Sequence, residues 1–289
     1  MTARVNHSLK GKVAIVTAAG RGIGRGIALA LAAQGARLVV NSYSADTTQA
    51  TVAAVEALGV EAVSVAGDVT DPEIMLALRD KALASFGSID ILVNNVGAGP
   101  KVSRSPEDHE LGQSAAVWDA LYEQNLKSVV LMTQAVVPHM RAQRSGKIVM
   151  ISSIAGRTSL SERMLTDFVH PSYSAMKAAL ISYTQTQAEL LGPHNINVNA
   201  VCPGIVYTDA WQANARRAVE QLPEFAGMNA REWFDGVARG DYPEIFDRTP
   251  LRRDQTVEDI GNAVVFLVAD DAMNITGQSL MVDGGMVKI

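Results

Sequence analysis

Cysteine is nearly absent from this chain of 289 residues: Cys202 stands alone, so no intrachain disulfide is available. Positive charge is not in excess either. Twenty-five Lys and Arg against 30 Asp and Glu leave a formal net charge of −5, with no basic field to hold a phosphate backbone, and nucleic acid is not an expected partner. Apolar runs stop well short of the roughly 18 residues needed to cross a bilayer; Gln134 and His139 interrupt the longest, around Val129 to Met140, so no membrane span is expected. Met1 to Lys12 lacks the apolar stretch of a signal peptide, which together with the lone cysteine reads as cytoplasmic. The five histidines are scattered and Cys202 precedes a proline, so no zinc spacing exists and no metal is expected. What the chain does have is 48% hydrophobic residues, enough to bury a full core.

Short runs rich in Val and Ile alternate with stretches of helical period, and that alternation predicts a parallel sheet. Seven strands are expected: Val13 to Thr17, Arg37 to Val40, Ala62 to Ala66, Ile89 to Val93, Lys147 to Ser152, Asn197 to Val201 and Ser279 to Val282. Helices are expected at Gly24 to Gln34, Asp46 to Leu58, Pro72 to Phe86, Ala115 to Arg141, Ser172 to Leu191 and Val257 to Ala269, with Gly35, Gly59, Gly87 and Gly192 as stops. Right-handed crossovers then give an α/β architecture, a Rossmann-type doubly wound seven-stranded sheet with helices on both faces, in a single domain spanning 1–289. Two segments break the alternation, Ala98 to Ser114 and Asp209 to Thr249, the second carrying Trp211, Phe225, Trp233, Phe234, Tyr242 and Phe246. Both leave carboxyl ends of strands, where ligands sit in open α/β sheets, so they are expected as walls and lid of a substrate pocket. The alternative is an amphipathic helical pair that covers surface or makes a subunit contact.

Thr17-Ala18-Ala19-Gly20-Arg21-Gly22-Ile23-Gly24 follows the first strand and opens the first helix, the context that a phosphate-binding loop requires. Gly20, Gly22 and Gly24 allow a tight turn and close approach of a pyrophosphate to free N–H groups at a positive helix end. This segment resembles the Thr-Gly-x-x-x-Gly-x-Gly fingerprint of the classical short-chain dehydrogenase/reductase family, with one departure: Ala18 stands where the family has glycine. Asp68-Val69 resembles the family's adenine-contacting pair, and Asn94-Asn95-Val96-Gly97 its Asn-Asn-Ala-Gly, which places Asn95, Val96 and Gly97 at the cofactor. The stretch that distinguishes NAD from NADP, at the end of the second strand, reads Asn41-Ser42-Tyr43-Ser44 and contains no carboxylate to hold a ribose 2′-hydroxyl. Asp46, the next acid, is expected to cap the following helix. Arg21 offers a charged contact to a 2′-phosphate and Ser42, Tyr43 and Ser44 offer hydroxyls, so NADP(H) is expected, with NAD(H) the alternative.

Tyr173-Ser174-Ala175-Met176-Lys177 puts a phenol and an ammonium on one helical face, about 5–6 Å apart. A cation at ~4 Å in an effective dielectric near 20 contributes roughly 4 kcal/mol toward phenolate, about 3 pH units, which is expected to bring Tyr173 to working pH. Ile151-Ser152-Ser153-Ile154-Ala155-Gly156 brings hydroxyls to the same sheet edge. The family places its catalytic serine directly before x-x-Gly, which selects Ser153 over Ser152. Asn125, in Trp118-Asp119-x-x-x-x-x-Asn125, resembles the helix asparagine that completes the family's tetrad. The resemblance implies hydride transfer between a nicotinamide and a secondary alcohol or ketone, with Tyr173 moving the proton, Lys177 lowering its pKa and holding the ribose, and Ser153 binding the substrate oxygen. Pro203-Gly204-Ile205-Val206-Tyr207-Thr208 is similar to the family's Pro-Gly-x-x-x-Thr segment, with Pro203, Gly204, Ile205 and Thr208 at the nicotinamide end. The family also implies pairing of its long helices into dimers and tetramers, a homotetramer being expected here.

From Ser153 to Tyr173 the chain runs about seven residues longer than is common in the family, and Arg157 to Pro171 carries Arg157, Glu162, Arg163, Asp167 and His170. This insertion is expected beside the substrate, its charges either contacting a polar substrate or lying in solvent. Competing activities lack support: a hydrolytic serine has no Gly-x-Ser-x-Gly elbow, and a nucleotide sensor without catalysis conflicts with the set Asn125, Ser153, Tyr173 and Lys177. An epimerase or dehydratase with tightly held NAD(P) stands as the alternative on the same fold. The substrate is a small alcohol or carbonyl compound of unspecified class.

Overall fold

Val13, Ala14, Ile15 and Val16 are all buried, with no polar residue between them, as a strand covered on both faces must be. The computed structural model describes residues 7–97, 114–246 and 249–287. In it β1 (Val13–Val16), β2 (Arg37–Ser42), β3 (Ala62–Ala66), β4 (Ile91–Asn94), β5 (Gly146–Ile151), β6 (Ile196–Pro203) and β7 (Ser279–Val282) form one sheet in the order β3-β2-β1-β4-β5-β6-β7. Every pairing is parallel. The expected α/β Rossmann-type sheet is therefore present, and the order reverses between β1 and β4, where a crevice opens at the carboxyl ends.

Helices α1 (Gly22–Ala33) and α10 (Val257–Val268) cover one face, where Ile27 and Leu31 pack with Ile260 and Val264 against β1 and β4. They cross so closely that a methyl at Gly26 would lie 2.7 Å from Val257 Cβ, and one at Gly261 would lie 2.7 Å from Ala30 Cβ. The opposite face is covered by α3 (Pro72–Phe86), α5 (Ser128–Gln143) and α7 (Pro171–Leu191), through residues such as Leu78, Val136 and Leu180. Helix α2 (Ala45–Glu56) connects β2 to β3.

Several boundaries differ from expectation for local reasons. The single helix expected over 115–141 is α4 (Ala115–Tyr122) and α5 joined by a π-helical turn, Glu123–Lys127. Such a turn has no periodic signature in sequence. Gly35, Gly59 and Gly87 do adopt the left-handed conformation of helix stops, but Gly192 keeps helical dihedrals (φ −53°) and the left-handed residue comes later, at Asn195 (φ 60°). Asp46 lies in the first turn of α2, while Ser44 holds the cap position.

The two segments outside the alternation fold together. Residues 157–171 contain the short helix α6 (Glu162–Asp167), and 209–249 contain α8 (Asp209–Gln221) and α9 (Ala230–Arg239). Phe168, Phe225, Trp233 and Phe234 form an apolar cluster between them, with the rings of Phe168 and Trp233 5.4 Å apart. The other expected wall, 98–114, lies outside the described residues except for Ser114. Among the described residues no helix is long and apolar enough to cross a membrane, and no group of three or more His, Cys, Asp or Glu could hold a metal ion.

Candidate active site

A cleft of about 1100 Å³ opens along the carboxyl edge of the sheet at the strand-order reversal. One end is the loop between β1 and α1. Ala18 takes the left-handed conformation there (φ 50°), so the position where a glycine is usual does demand glycine-like dihedrals, at a cost of about 1 kcal/mol for an alanine. The strained loop is held by Asn41, which accepts from the Ala18 amide at 3.2 Å and donates to the carbonyls of Val65 and Gly67. Asn95 closes it from the other side: its amide nitrogen donates to the carbonyls of Thr17 and Ala18, and its backbone N–H donates to Thr17 Oγ1 at 3.0 Å. A methyl at Gly24 would come within 2.4 Å of both the Ala18 carbonyl oxygen and Asn95 Nδ2, so the helix can start this close to the strand only with glycine. Arg21, at the N-cap of α1, makes no side-chain capping bond, so the helix start, whose Gly22, Ile23 and Gly24 line the cleft mouth, is left uncapped by a side chain.

Arg21, Gly22, Ile23, Gly24, Asn41, Ser42, Tyr43, Asp68, Val69, Asn95, Val96 and Gly97 all line this end. Thr17, Gly20 and Ser44 do not. Thr17 is fully buried under Asn95, Gly20 packs against Ser42 and Thr47, where a methyl would lie 2.4 Å from Ser42 Oγ, and Ser44 turns its carbonyl to the Thr48 hydroxyl at the start of α2. Asn41 reaches the cleft, yet its side chain is spent on the loop. Asp68 accepts from both the amide and the hydroxyl of Thr70, which fixes the turn after β3. Arg21 forms an exposed ion pair across the cleft mouth with Asp209, Nη1 to Oδ2 3.5 Å, linking the loop to the first residue of α8.

At the other end Ser153, Tyr173 and Lys177 come together on the cleft wall. Gly156 makes this possible: a methyl there would lie 2.6 Å from the Lys177 carbonyl carbon, so α7 rests directly on the turn that follows β5. The Tyr173 hydroxyl hydrogen-bonds Ser153, whose Oγ also accepts from the Ala155 amide. Ser152, in contrast, donates to the Lys177 carbonyl at 2.8 Å and serves the packing of α7. The buried Lys177 ammonium donates to the Ile151 carbonyl at 2.9 Å and lies 5.4 Å from the centre of the Tyr173 ring. Asn125 is fully buried within the π-helical turn, behind the cleft lining, and its amide donates to the Leu121 carbonyl. A methyl at Gly97 would meet Lys177 Nζ and Asn125 Oδ1, so that glycine seats both side chains.

The electrostatics correct one expectation. Tyr173 is not brought near neutrality: burial pushes its phenol up to about 12, against the Ser153 hydrogen bond that lowers it. Burial also pulls Lys177 down to about 8. Loss of solvation disfavours the charged form of each group and is the largest cause of both shifts. Cys202, at the end of β6, is raised to about 11 for the same reason, an inert thiol rather than a nucleophile.

Pro203, Gly204, Ile205 and Thr208 line the floor between the two ends. Gly204 donates its N–H to Gln255 Oε1, an anchor with no motif to announce it. The aromatic residues expected in the lid mostly turn away from the cleft: Trp233 and Phe234 are fully buried in the cap's own core, and only Trp211 of the six lines the cleft. The remaining cap wall comes from α8 (Ala210, Asn214, Arg217) and from the insertion before Tyr173, where Leu160, Met164, Phe168, Val169 and His170 face in. Its charged residues Arg163 and Asp167 pair with each other instead, and Arg163 also pairs with Glu224.

The short chain dehydrogenase family model matches residues 12–218, and that of enoyl-(acyl carrier protein) reductases matches 226–287. A 3-oxoacyl-(acyl-carrier-protein) reductase of Staphylococcus epidermidis is 34% identical over 276 residues, 95% of this chain and 98% of that protein. The 7alpha-hydroxysteroid dehydrogenase of Escherichia coli is 33% identical, over 98% and 97% of the two chains. Among solved structures, L-sorbose reductase from Gluconobacter frateurii, complexed with NADPH and L-sorbose, superposes with a TM-score of 0.84 at 29% identity over 99% and 100% of the chains. A 7 alpha-hydroxysteroid dehydrogenase complexed with NADH and 7-oxo glycochenodeoxycholic acid gives 0.78 at 33% identity, over 98% and 97%. The chain belongs to the short-chain dehydrogenase/reductase family. It is a nicotinamide-dependent oxidoreductase of alcohols and ketones, and nothing among these relatives favours an epimerase or dehydratase.

Proposed function

We propose that the protein reduces a ketone, or oxidises the matching secondary alcohol, with NADP(H) as the preferred nucleotide and Tyr173 as the proton-transfer group. The observation that carries this is the cluster of Ser153, Tyr173 and Lys177 at the inner end of a cleft whose mouth is an uncapped helix start with Arg21 beside it. The residues fit a dinucleotide: glycines that admit no methyl bring backbone amides to the mouth, and no carboxylate stands among Asn41, Ser42, Tyr43 and Ser44 to repel a 2′-phosphate. When bound, the nicotinamide supplies or accepts the hydride.

The chain's own residues do the rest. Ser153 presents its hydroxyl to the substrate oxygen and holds the Tyr173 phenol in line with it. A phenol near 12 carries its proton at neutral pH, so Tyr173 is poised as the acid that protonates the oxygen of a carbonyl as it becomes an alcohol. Lys177 sits under the Tyr173 ring and holds positive charge where the phenolate forms, stabilising that anion after the proton leaves. Asn125 stands behind Lys177, across Gly97, and supports its position. The 209–249 segment acts as the lid over the substrate, within one domain.

A homotetramer is part of the proposal. The α4–α5 and α7 surfaces border a depression of about 540 Å³ lined by Tyr122, Leu126, Val130, Leu131 and Tyr183, with Trp118 exposed nearby, a face suited to two-fold pairing. A cytoplasmic setting accords with the free, buried Cys202. The experiment is fluorescence titration with NADPH and NADH followed by a ketone panel for wild type and Tyr173→Phe. The expected result is tighter NADPH binding, and a kcat lowered roughly 10²–10⁴-fold in the variant with nucleotide binding retained. Turnover within a few-fold of wild type would overturn the assignment of Tyr173.

A further inference from the structure

Helix α8 turns Ala210, Trp211, Asn214 and Arg217 toward the cleft, positions one, four and seven residues apart that share a helical face. Arg217 is the odd member. The same cap wall carries the apolar residues Leu160, Met164, Phe168, Val169 and Trp211, among which Arg217 brings a full charge from α8. Three other arginines of the cap are neutralised, Arg163 by Asp167 and Glu224, Arg231 by Asp235 and Asp254, and Arg239 by Asp241, while Arg216, the neighbour on α8, is exposed to solvent rather than turned to the cleft. Arg217 has no carboxylate within ion-pair distance among the described residues, although the chain as a whole is acidic. What it has is positioning. Its Nη2 donates to the Asp167 carbonyl and to Asn214 Oδ1, and its guanidinium lies 6.0 Å from the centre of the Phe168 ring. Three contacts to neutral groups orient the fork while leaving its charge uncompensated, the arrangement that recognises a planar anion.

We infer that Arg217 is a specificity-determining residue and that the substrate is an oxo acid, or the matching hydroxy acid, whose carboxylate is remote from the reacting carbon. This rests on the cleft being that of a ketone reductase. The remoteness follows from placement: Arg217 meets the chain at Asp167 and Phe168, ahead of the start of α7 that carries Tyr173, and it lies nine residues along α8 from Thr208, about 13 Å of helix. A 2-oxo acid would bring its carboxylate beside the reacting carbon and away from Arg217. The apolar wall between the two points suits the hydrocarbon body that joins them. His170, the buried N-cap residue of α7, lines the same wall and adds a second polar group near the path of the chain.

The test compares methyl-ketone acids of rising chain length with their methyl esters, in the wild-type protein with saturating NADPH. For the acid of matching length, kcat/KM is expected to exceed that of its ester by roughly 10- to 100-fold, the worth of one charge-assisted hydrogen-bonded contact. Arg217→Gln is expected to abolish that preference through KM while leaving the ester within about threefold, and Arg217→Lys to restore part of it. Esters and acids turned over equally by the wild type would overturn the inference and leave the reductase reading intact. Calorimetric titration of the matching hydroxy acids into wild type and Arg217→Gln supplies the separate arm. Arg217-dependent binding with no turnover of any ketone would sustain the carboxylate site and sink the reductase reading; binding unchanged by the substitution would overturn the site.

Discussion

Gly156→Ala offers the sharpest check on how the catalytic groups are assembled, because it adds one methyl and alters none of their side chains. That methyl would lie 2.6 Å from the Lys177 carbonyl carbon, 2.7 Å from its oxygen and 2.8 Å from the Ala178 amide. Carbon contacts settle at about 3.5–4.0 Å, and all three atoms are backbone of a 21-residue helix, so no side chain can move aside. The gap between the β5 turn and α7 must open by roughly 1 Å. Since Ser153 stays with β5 while Tyr173 and Lys177 travel with α7, the proton donor and the oxygen-binding hydroxyl separate. A misplacement of that size costs about 10²-fold in rate, and overpacking of this kind about 1–3 kcal/mol in stability. Gly192→Ala is the control: it sits at a helical φ of −53° with nothing within 4 Å, and is expected to leave the rate unchanged while adding about 0.4–1 kcal/mol. Steady-state kinetics and thermal unfolding of both variants decide. A Gly156→Ala protein with more than half the wild-type kcat would refute the claim that this contact sets the catalytic geometry.

Three further outcomes are expected. Lys177 is lowered by burial to about 8, so the folded state binds fewer protons than the unfolded state between about pH 8 and 10.5, and the cost of burying the ammonium fades as pH rises through that window. Urea unfolding of wild type against Lys177→Met should show the difference moving in favour of wild type by about 3 kcal/mol between pH 7.5 and 10.5; a flat difference would contradict the burial argument. Ala18→Gly relieves a left-handed alanine worth about 1 kcal/mol, offset in part by the greater freedom of glycine in the unfolded chain, so a small rise in Tm is expected and a fall would show that the loop is not strained. Asp209→Asn removes the exposed partner of Arg21 and should tighten NADPH a few-fold at low salt but not at high salt, with NADH unaffected; equal effects on both nucleotides would argue against Arg21 as the 2′-phosphate contact.

The centre of the sheet was legible because its strands are buried on both faces, Val13–Val16 and Ile91–Val93 reading as continuous apolar runs, while the half-exposed edge strands β3 and β7 also match their expected limits. The cleft's mouth was legible because glycines and small polar residues crowd the strand ends. Elsewhere several side chains in one place have indistinguishable sequence signals and different partners. Nothing in the residue types shows that Asn41 is consumed by the loop while its neighbour Ser42 lines the cleft, or that Thr17 lies one layer below. The cap was the least legible part. Helical period shows that Trp233 and Phe234 belong to an apolar face, but their partners Phe168 and Phe225 lie in separate segments, and no local pattern reveals that these aromatics bury one another while Trp211 and Phe168 line the cleft. The π-helical turn that buries Asn125 interrupts a pattern that otherwise reads as one helix.

The Gly26–Gly261 crossing ties the nucleotide loop to a helix made much later in synthesis. Helix α1 opens with that loop, yet the apolar stripe that keeps it in place, Ile27 and Leu31, is covered by Ile260 and Val264. A nascent chain that has emerged only as far as the cap therefore holds nearly every residue that would touch the nucleotide, but not the support that fixes their spacing. The support of that loop is thus completed only when α10 has been made, and a chain interrupted before Val257 is expected to expose the back of α1 rather than to bind nucleotide.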